Sequence, residues 1–90
     1  MTLDVTVYSA VNCGYCVLMK NFLHEQNILY KEVIIQEKPE IAQELIAATG
    51  RLGVPQTNIN GNWVLGYDPN SAMKIIQQLT TANNRDGELQ

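Results

Sequence analysis

The stretch VNCGYCVLMKNFL, residues 11–23, is where the period of this chain changes. Ahead of it, Val5, Val7 and Tyr8 alternate with Thr6 and the run closes on Ser9 and Ala10, the pattern of a short strand. Within it, Leu18, Phe22 and Leu23 recur at i, i+4 and i+5, so a helix with these three on one face is expected to run to about Gln26. The only two cysteines of the chain, Cys13 and Cys16, stand at the junction. Residues 29–35 read as a second strand, and a strand-helix-strand order with so short a first connection implies a parallel crossover.

Further along, Glu37, Lys38 and Pro39 punctuate the chain. Pro39 suits the first turn of a second helix whose stripe is Ile41, Leu45, Ile46 and Ala48, with Gly50 as its stop. After residues 51–55 comes a hairpin, residues 56–59 and 63–65 about the turn Asn60-Gly61, a pair that favours tight primed turns. A third helix is expected from about Pro69 and Asn70 to about Thr80, burying Met73, Ile76 and Leu79 with help from Ala72 and Ile75. Residues 1–81 read as a single domain, and the polar, aperiodic residues 82–90 as a flexible tail. The order β-α-β-α-β-β-α predicts an α/β fold, a mixed four-stranded sheet with helices packed on it.

Composition bounds the partners. A net charge of -3 gives no positive field for phosphate polymers, so nucleic acid is not expected. The start, MTLDVTVYSAVN, has neither a basic n-region nor a long apolar run, and no later segment is apolar enough to cross a bilayer. A cytoplasmic protein without export signal or membrane anchor is expected, acting as a monomer.

The position of Cys13 has a chemical consequence. A thiol at the first helical turn faces unpaired backbone N–H groups and the positive end of the macrodipole, which stabilise its thiolate. Cys16 follows at i+3, so the two sulfurs are neighbours on one face and can bond without unfolding the helix. Gly14 keeps the approach to them open. Other readings are weaker on physical grounds. A crosslink over so short a loop restricts the unfolded chain little, and a reducing compartment would not keep it for stability. Zinc needs two further ligands, but the chain has no other cysteine and a single histidine. That residue, His24, lies about 16 Å along the same helix from Cys13, too far for a Cys–His dyad, and reads as a solvated helix residue. Two buried, inert thiols would be the remaining case. Redox exchange at a CxxC within a βαβ pattern leads, with Cys13 as exposed attacker and Cys16 as resolver.

With VYSAVNCGYC, TGRLGVPQ and NGNWVLGYD in that order, the chain resembles a glutaredoxin of the thioredoxin-fold superfamily, over nearly everything from Val5 to Leu79. The resemblance implies a thioredoxin-like fold with helices on both faces of the sheet. It also implies a disulfide oxidoreductase with glutathione as co-substrate, no tightly bound cofactor, and disulfide-containing or glutathionylated proteins as partners. Val54-Pro55 would be a cis peptide, and the Val54 backbone would pair with substrate peptide or glutathione like a short extra strand. Tyr15 would flank the groove and Arg51 would meet the glycine carboxylate. Gly66 would let the backbone approach, while the Tyr67 and Asp68 amides and the Asp68 carboxylate would meet the γ-glutamyl end. From the residues alone, Pro55 also fits an edge-strand start, Arg51 a solvated loop cation, and Asp68 an N-cap or first-turn acid.

The chain departs from the family pattern at Ala10, where a lysine is common, at Gly53 in place of threonine, at Leu65 in place of the first of two glycines, and at Pro69 in place of a second acid. Trp63 and the run Gly66-Tyr67-Asp68-Pro69 also resemble the glutaredoxin-like electron donors of ribonucleotide reductase, which are recycled by thioredoxin reductase. Resemblance to CGYC-type members implies one further alternative, a [2Fe–2S] cluster shared between two subunits through each Cys13 and a pair of glutathiones. A non-catalytic adaptor that binds a peptide beside Tyr67 is the last.

Overall fold

A computed structural model describes the backbone of residues 3–88 and the side chains of residues 3–80. Strand β1 spans Val5–Ser9, helix α1 Gly14–Glu25, strand β2 Lys31–Ile34, helix α2 Pro39–Thr49, strand β3 Gln56–Ile59, strand β4 Asn62–Leu65 and helix α3 Pro69–Glu88, with one 3₁₀ turn at Ile35–Glu37. The sheet order is β2-β1-β3-β4, with β1 parallel to β2 and antiparallel to β3, and β3 antiparallel to β4. This is the expected order of elements and the expected mixed sheet.

The two faces of the sheet differ in chemistry because β1 alternates. Val5, Val7 and Ser9 are buried and point one way, where Met19 and Leu23 of α1 and Ala72 and Ile76 of α3 meet Val5, Val7, Ile59 and Val64 in one apolar cluster. The opposite face carries Thr6, Tyr8, Gln56, Asn58 and Trp63, and α2 lies over it: Thr49 of α2 is hydrogen-bonded to Gln56, and Glu44 helps to raise the Tyr8 pKa above its ordinary value, after desolvation as the main cause. Helices therefore cover both faces. Among the described residues no helix is long and apolar enough to cross a membrane.

Four expected details are corrected. In α1 the inward stripe is Cys16, Met19 and Leu23, with Phe22 half-buried and Leu18 exposed. At about 100° per residue Leu18 lies roughly 200° from Cys16. Either stripe satisfies a helical period, and the sheet chose the one that carries Cys16. In α2 only Leu45 is buried, while Ile46 and Ala48 are exposed, because the polar face beneath offers no broad apolar surface. Strand β2 is shorter than residues 29–35. Asn27, at φ 59°, closes α1, the Ile28 N–H returns to the Leu23 carbonyl at 2.9 Å, and Leu29 is 90% exposed.

The last correction concerns α3, which does not stop near Thr80 but runs to Glu88. Its apolar stripe ends there, yet no glycine or proline interrupts residues 70–86, and polarity by itself does not terminate a helix. Of the tail expected over 82–90, residues 89 and 90 lie outside the described residues.

Candidate active site

Helix α1 begins at Gly14, so Cys13 is its N-cap residue, in an extended conformation with φ -108° and ψ 106°. Its Sγ accepts the Cys16 backbone N–H at 3.2 Å, the bond that a serine or aspartate oxygen makes at other helix starts. The preceding Asn12 has φ 60°, a left-handed turn that asparagine tolerates and that reverses the chain between β1 and α1. Cys13 and Cys16 are joined as a disulfide, with Cα atoms 5.2 Å apart. The pair is asymmetric: Cys13 is half-buried and Cys16 is 1% exposed, on the inner stripe of α1.

The other expected site residues gather at the same end of the sheet. Tyr8 pairs with Gln56 and Gln56 with Leu65, so the register carried one step further sets Pro55 level with Ser9 on one side and Gly66 on the other. The Gly66 N–H donates to the Pro55 carbonyl at 2.8 Å, and Gly66 has φ 75°, a conformation an L side chain resists. Val54-Pro55 is cis, as expected, and Pro55 is fully buried. Tyr15, on the first turn of α1, stacks on Tyr67 with ring centroids 6.3 Å apart and planes at 23°. Tyr15 is 65% exposed and Tyr67 39%.

Two cavities flank this end. One, of about 560 Å³, opens on both cysteines and is walled by Ala10, Val17, Lys20 and Glu32. The other, of about 480 Å³, is lined by Arg51, Val54, Gln56 and Gly66, so three of the expected glutathione contacts share one hollow. Tyr15, Tyr67 and Asp68 line neither, and the disulfide is not part of the second hollow. Asp68 instead caps α3: its carboxylate accepts the Ser71 Oγ–H at 2.7 Å and the Ser71 N–H at 3.1 Å. These two bonds, hydroxyl first, hold its pKa below the usual carboxylate range.

Two clusters went unread in the sequence. Beside the cysteines, the Glu32 carboxylate accepts from Lys20 Nζ at 2.6 Å and Ser9 Oγ at 2.7 Å, and those bonds, Lys20 foremost, lower its pKa. Lys20 at i+4 from Cys16 was within reach of helical spacing, but Glu32 arrives from another strand. In the wall of the second hollow, the buried amide of Gln56 donates to the carbonyls of Arg51 and Gly53, each at 2.9 Å, and its Oε1 lies 2.9 Å from Thr49 Oγ1. Nothing in a strand-like Gln56-Thr57 pair signals that role.

Two thiols that bond across one helical turn can pass an electron pair to a partner disulfide, and on this sheet they define a thiol-disulfide oxidoreductase of the thioredoxin-like class. Comparison gives the family. A family model described as Glutaredoxin matches residues 5–64, and the chain belongs to that family. It is 31% identical to a glutaredoxin of Pseudomonas aeruginosa over 83% of this chain and 89% of that protein. Over 47% of this chain and 58% of the other, it is 43% identical to the glutaredoxin-like protein NrdH of Lactococcus lactis subsp. cremoris. The crystal structure of a glutaredoxin from Archaeoglobus fulgidus superposes with a TM-score of 0.75 at 20% identity, over 82% of this chain and 86% of that one, a likeness of fold.

Proposed function

We propose that the protein reduces protein disulfides and glutathione mixed disulfides, with Cys13 as the attacking sulfur, Cys16 as the resolving one and glutathione as co-substrate. One observation carries this reading: the asymmetry of the pair, with Cys13 at the helix cap facing an N–H and Cys16 buried behind it. In the reduced protein the Cys16 N–H and the helix dipole favour the Cys13 thiolate, which attacks a substrate sulfur in line. A mixed disulfide forms and the first substrate thiolate leaves. Cys16, deprotonated, then attacks Cys13 Sγ and releases the second thiolate, so the dithiol loses two electrons and the substrate gains them. Two glutathione molecules return the electrons and leave as glutathione disulfide. A glutathionylated protein needs Cys13 alone, because a second glutathione can resolve the intermediate.

Arg51, Val54 and Gly66 around one hollow support a binding place for the glutathione chain: Arg51 would meet a carboxylate, the Val54 backbone would pair with the peptide, and Tyr15, Tyr67 and Asp68 would border the other end. A reducing compartment such as the cytoplasm fits the cycle, since both electron sources operate there. A second reading has its own support. Ala10 withholds a cation from the expected carboxylate, and over 47% of its length the chain is 43% identical to an NrdH protein, so the partners would be ribonucleotide reductase and thioredoxin reductase.

NADPH consumption decides between them, measured once with glutathione and glutathione reductase and once with thioredoxin reductase. The faster couple names the electron source, and silence in the glutathione couple removes the first reading. Cys13→Ser should abolish turnover in both, whereas Cys16→Ser should keep deglutathionylation; equal loss in the two variants would refute the assigned roles. Alkylation of the reduced protein should place the Cys13 pKa below the ordinary thiol value of about 8.5.

A further inference from the structure

We propose that Gln56 is a positioning residue for substrate: its amide holds residues 51–54 in the shape that a partner meets. The inference rests on the second hollow being a substrate groove, the reading given above. Residues 51–54 have no regular secondary structure, and Arg51, Leu52 and Gly53 are exposed, so their own packing does not order them. Gln56 does so from beneath. It is 1% exposed and follows Pro55 directly. Both of its amide hydrogens go to loop carbonyls, those of Arg51 and Gly53 at 2.9 Å. The orientation of the amide is dictated by these neighbours, since a carbonyl can only accept and the NH₂ end must face the pair.

The clamp reaches further through Thr49. Its Oγ1 lies 2.9 Å from Gln56 Oε1 and 2.9 Å from the Leu45 carbonyl, and it accepts the Arg51 N–H at 3.2 Å. The last turn of α2, the loop and the first residue of β3 are thus one hydrogen-bonded unit. Of the loop groups assigned to substrate, Arg51 is held by the network directly, and Val54 follows the bonded Gly53 in the chain. A buried network of this kind specifies one arrangement when every member is satisfied and loosens when one is removed. Gln56 touches no sulfur in this network, so its removal should weaken binding and leave the chemistry of Cys13 alone.

The test compares wild type, Gln56→Leu, which keeps a side chain of comparable size and loses both donors and the acceptor, and Thr49→Val, which loses only the hydroxyl. Each is assayed with a glutathionylated peptide under glutathione and glutathione reductase, and with insulin disulfides under dithiothreitol. In Gln56→Leu the KM should rise about tenfold with kcat within about twofold and the Cys13 alkylation pKa unchanged; Thr49→Val should move KM the same way by less. A folded Gln56→Leu variant with wild-type KM overturns the proposal, as does a fall in kcat accompanied by a shifted Cys13 pKa. If Gln56→Leu does not fold, Thr49→Val decides by the same criteria. A wild type silent with glutathione removes the glutathione reading alone, and the insulin arm then judges Gln56 by itself.

Discussion

The two sides of the disulfide are built by different means. On one side stands α1, where Cys16, Met19 and Leu23 bury a single stripe into the apolar cluster and Cys13 caps the helix start; its shape follows from helical period and apolar burial. On the other side stand residues 51–54 and the turn at Gly66. Arg51, Leu52 and Gly53 are exposed, and hydrogen bonds with Gln56, Thr49 and the Pro55 carbonyl set the course of the two segments. The first wall holds the sulfurs and the second borders the hollow assigned to substrate. Burial is strong and non-directional, which suits a platform, whereas hydrogen bonds are weaker and directional, which suits a surface that must present particular groups.

The largest test of this contrast is aimed at the first wall. Met19→Ala should cost about 2–5 kcal/mol of unfolding free energy in a urea titration, because a fully buried side chain is lost from the cluster. Leu18→Ala, one residue away and exposed, should stay within about 0.5 kcal/mol. Similar losses at the two positions would mean that α1 is rotated from the arrangement described.

A smaller effect belongs to the second wall. A methyl group at Gly66 meets no atom within 4 Å, so the cost of Gly66→Ala comes from its φ of 75° alone, about 1–2 kcal/mol. That variant should also raise KM more than it lowers kcat. A neutral outcome in both stability and KM would show that the turn can relax without disturbing the hollow.

The smallest effect is electrostatic. The folded-state pKa of Glu32 is depressed, first by the Lys20 hydrogen bond and then by Ser9, so its stabilising contribution is present above the unfolded value near 4.3 and is lost as the pH falls through the lower folded one. Wild type should therefore exceed Glu32→Gln in stability at neutral pH by under about 1 kcal/mol, and the gap should close as the pH falls below the ordinary glutamate range and the carboxyl takes up its proton. A gap that persists once the Glu32 carboxyl is fully protonated would point to packing rather than charge.

Legibility followed the same division. The helix entry at Cys13, the i+3 relation to Cys16, the Asn60-Gly61 hairpin with its positive φ angles of 52° and 92°, and the Gly50 stop at φ 76° were all readable, because each is a local preference of one to four residues. The inward stripe of α1 is not legible in the sequence, since Leu18 and Met19 both satisfy a helical period and only contact with the sheet tells them apart. The end of α3 is not legible either, because the apolar stripe, not the helix, ends near Thr80.

By itself, the sequence determined the order of elements, the dithiol at a helix start and the resemblance that led to the family, all of which rest on short-range spacing. Only the tertiary structure decided which face of α1 turns inward, that Arg51, Val54 and Gly66 share a hollow, and that Gln56 and Thr49 tie the loop behind it. Those relations join residues from separate elements, and their geometry exists only once the sheet has brought them to one end.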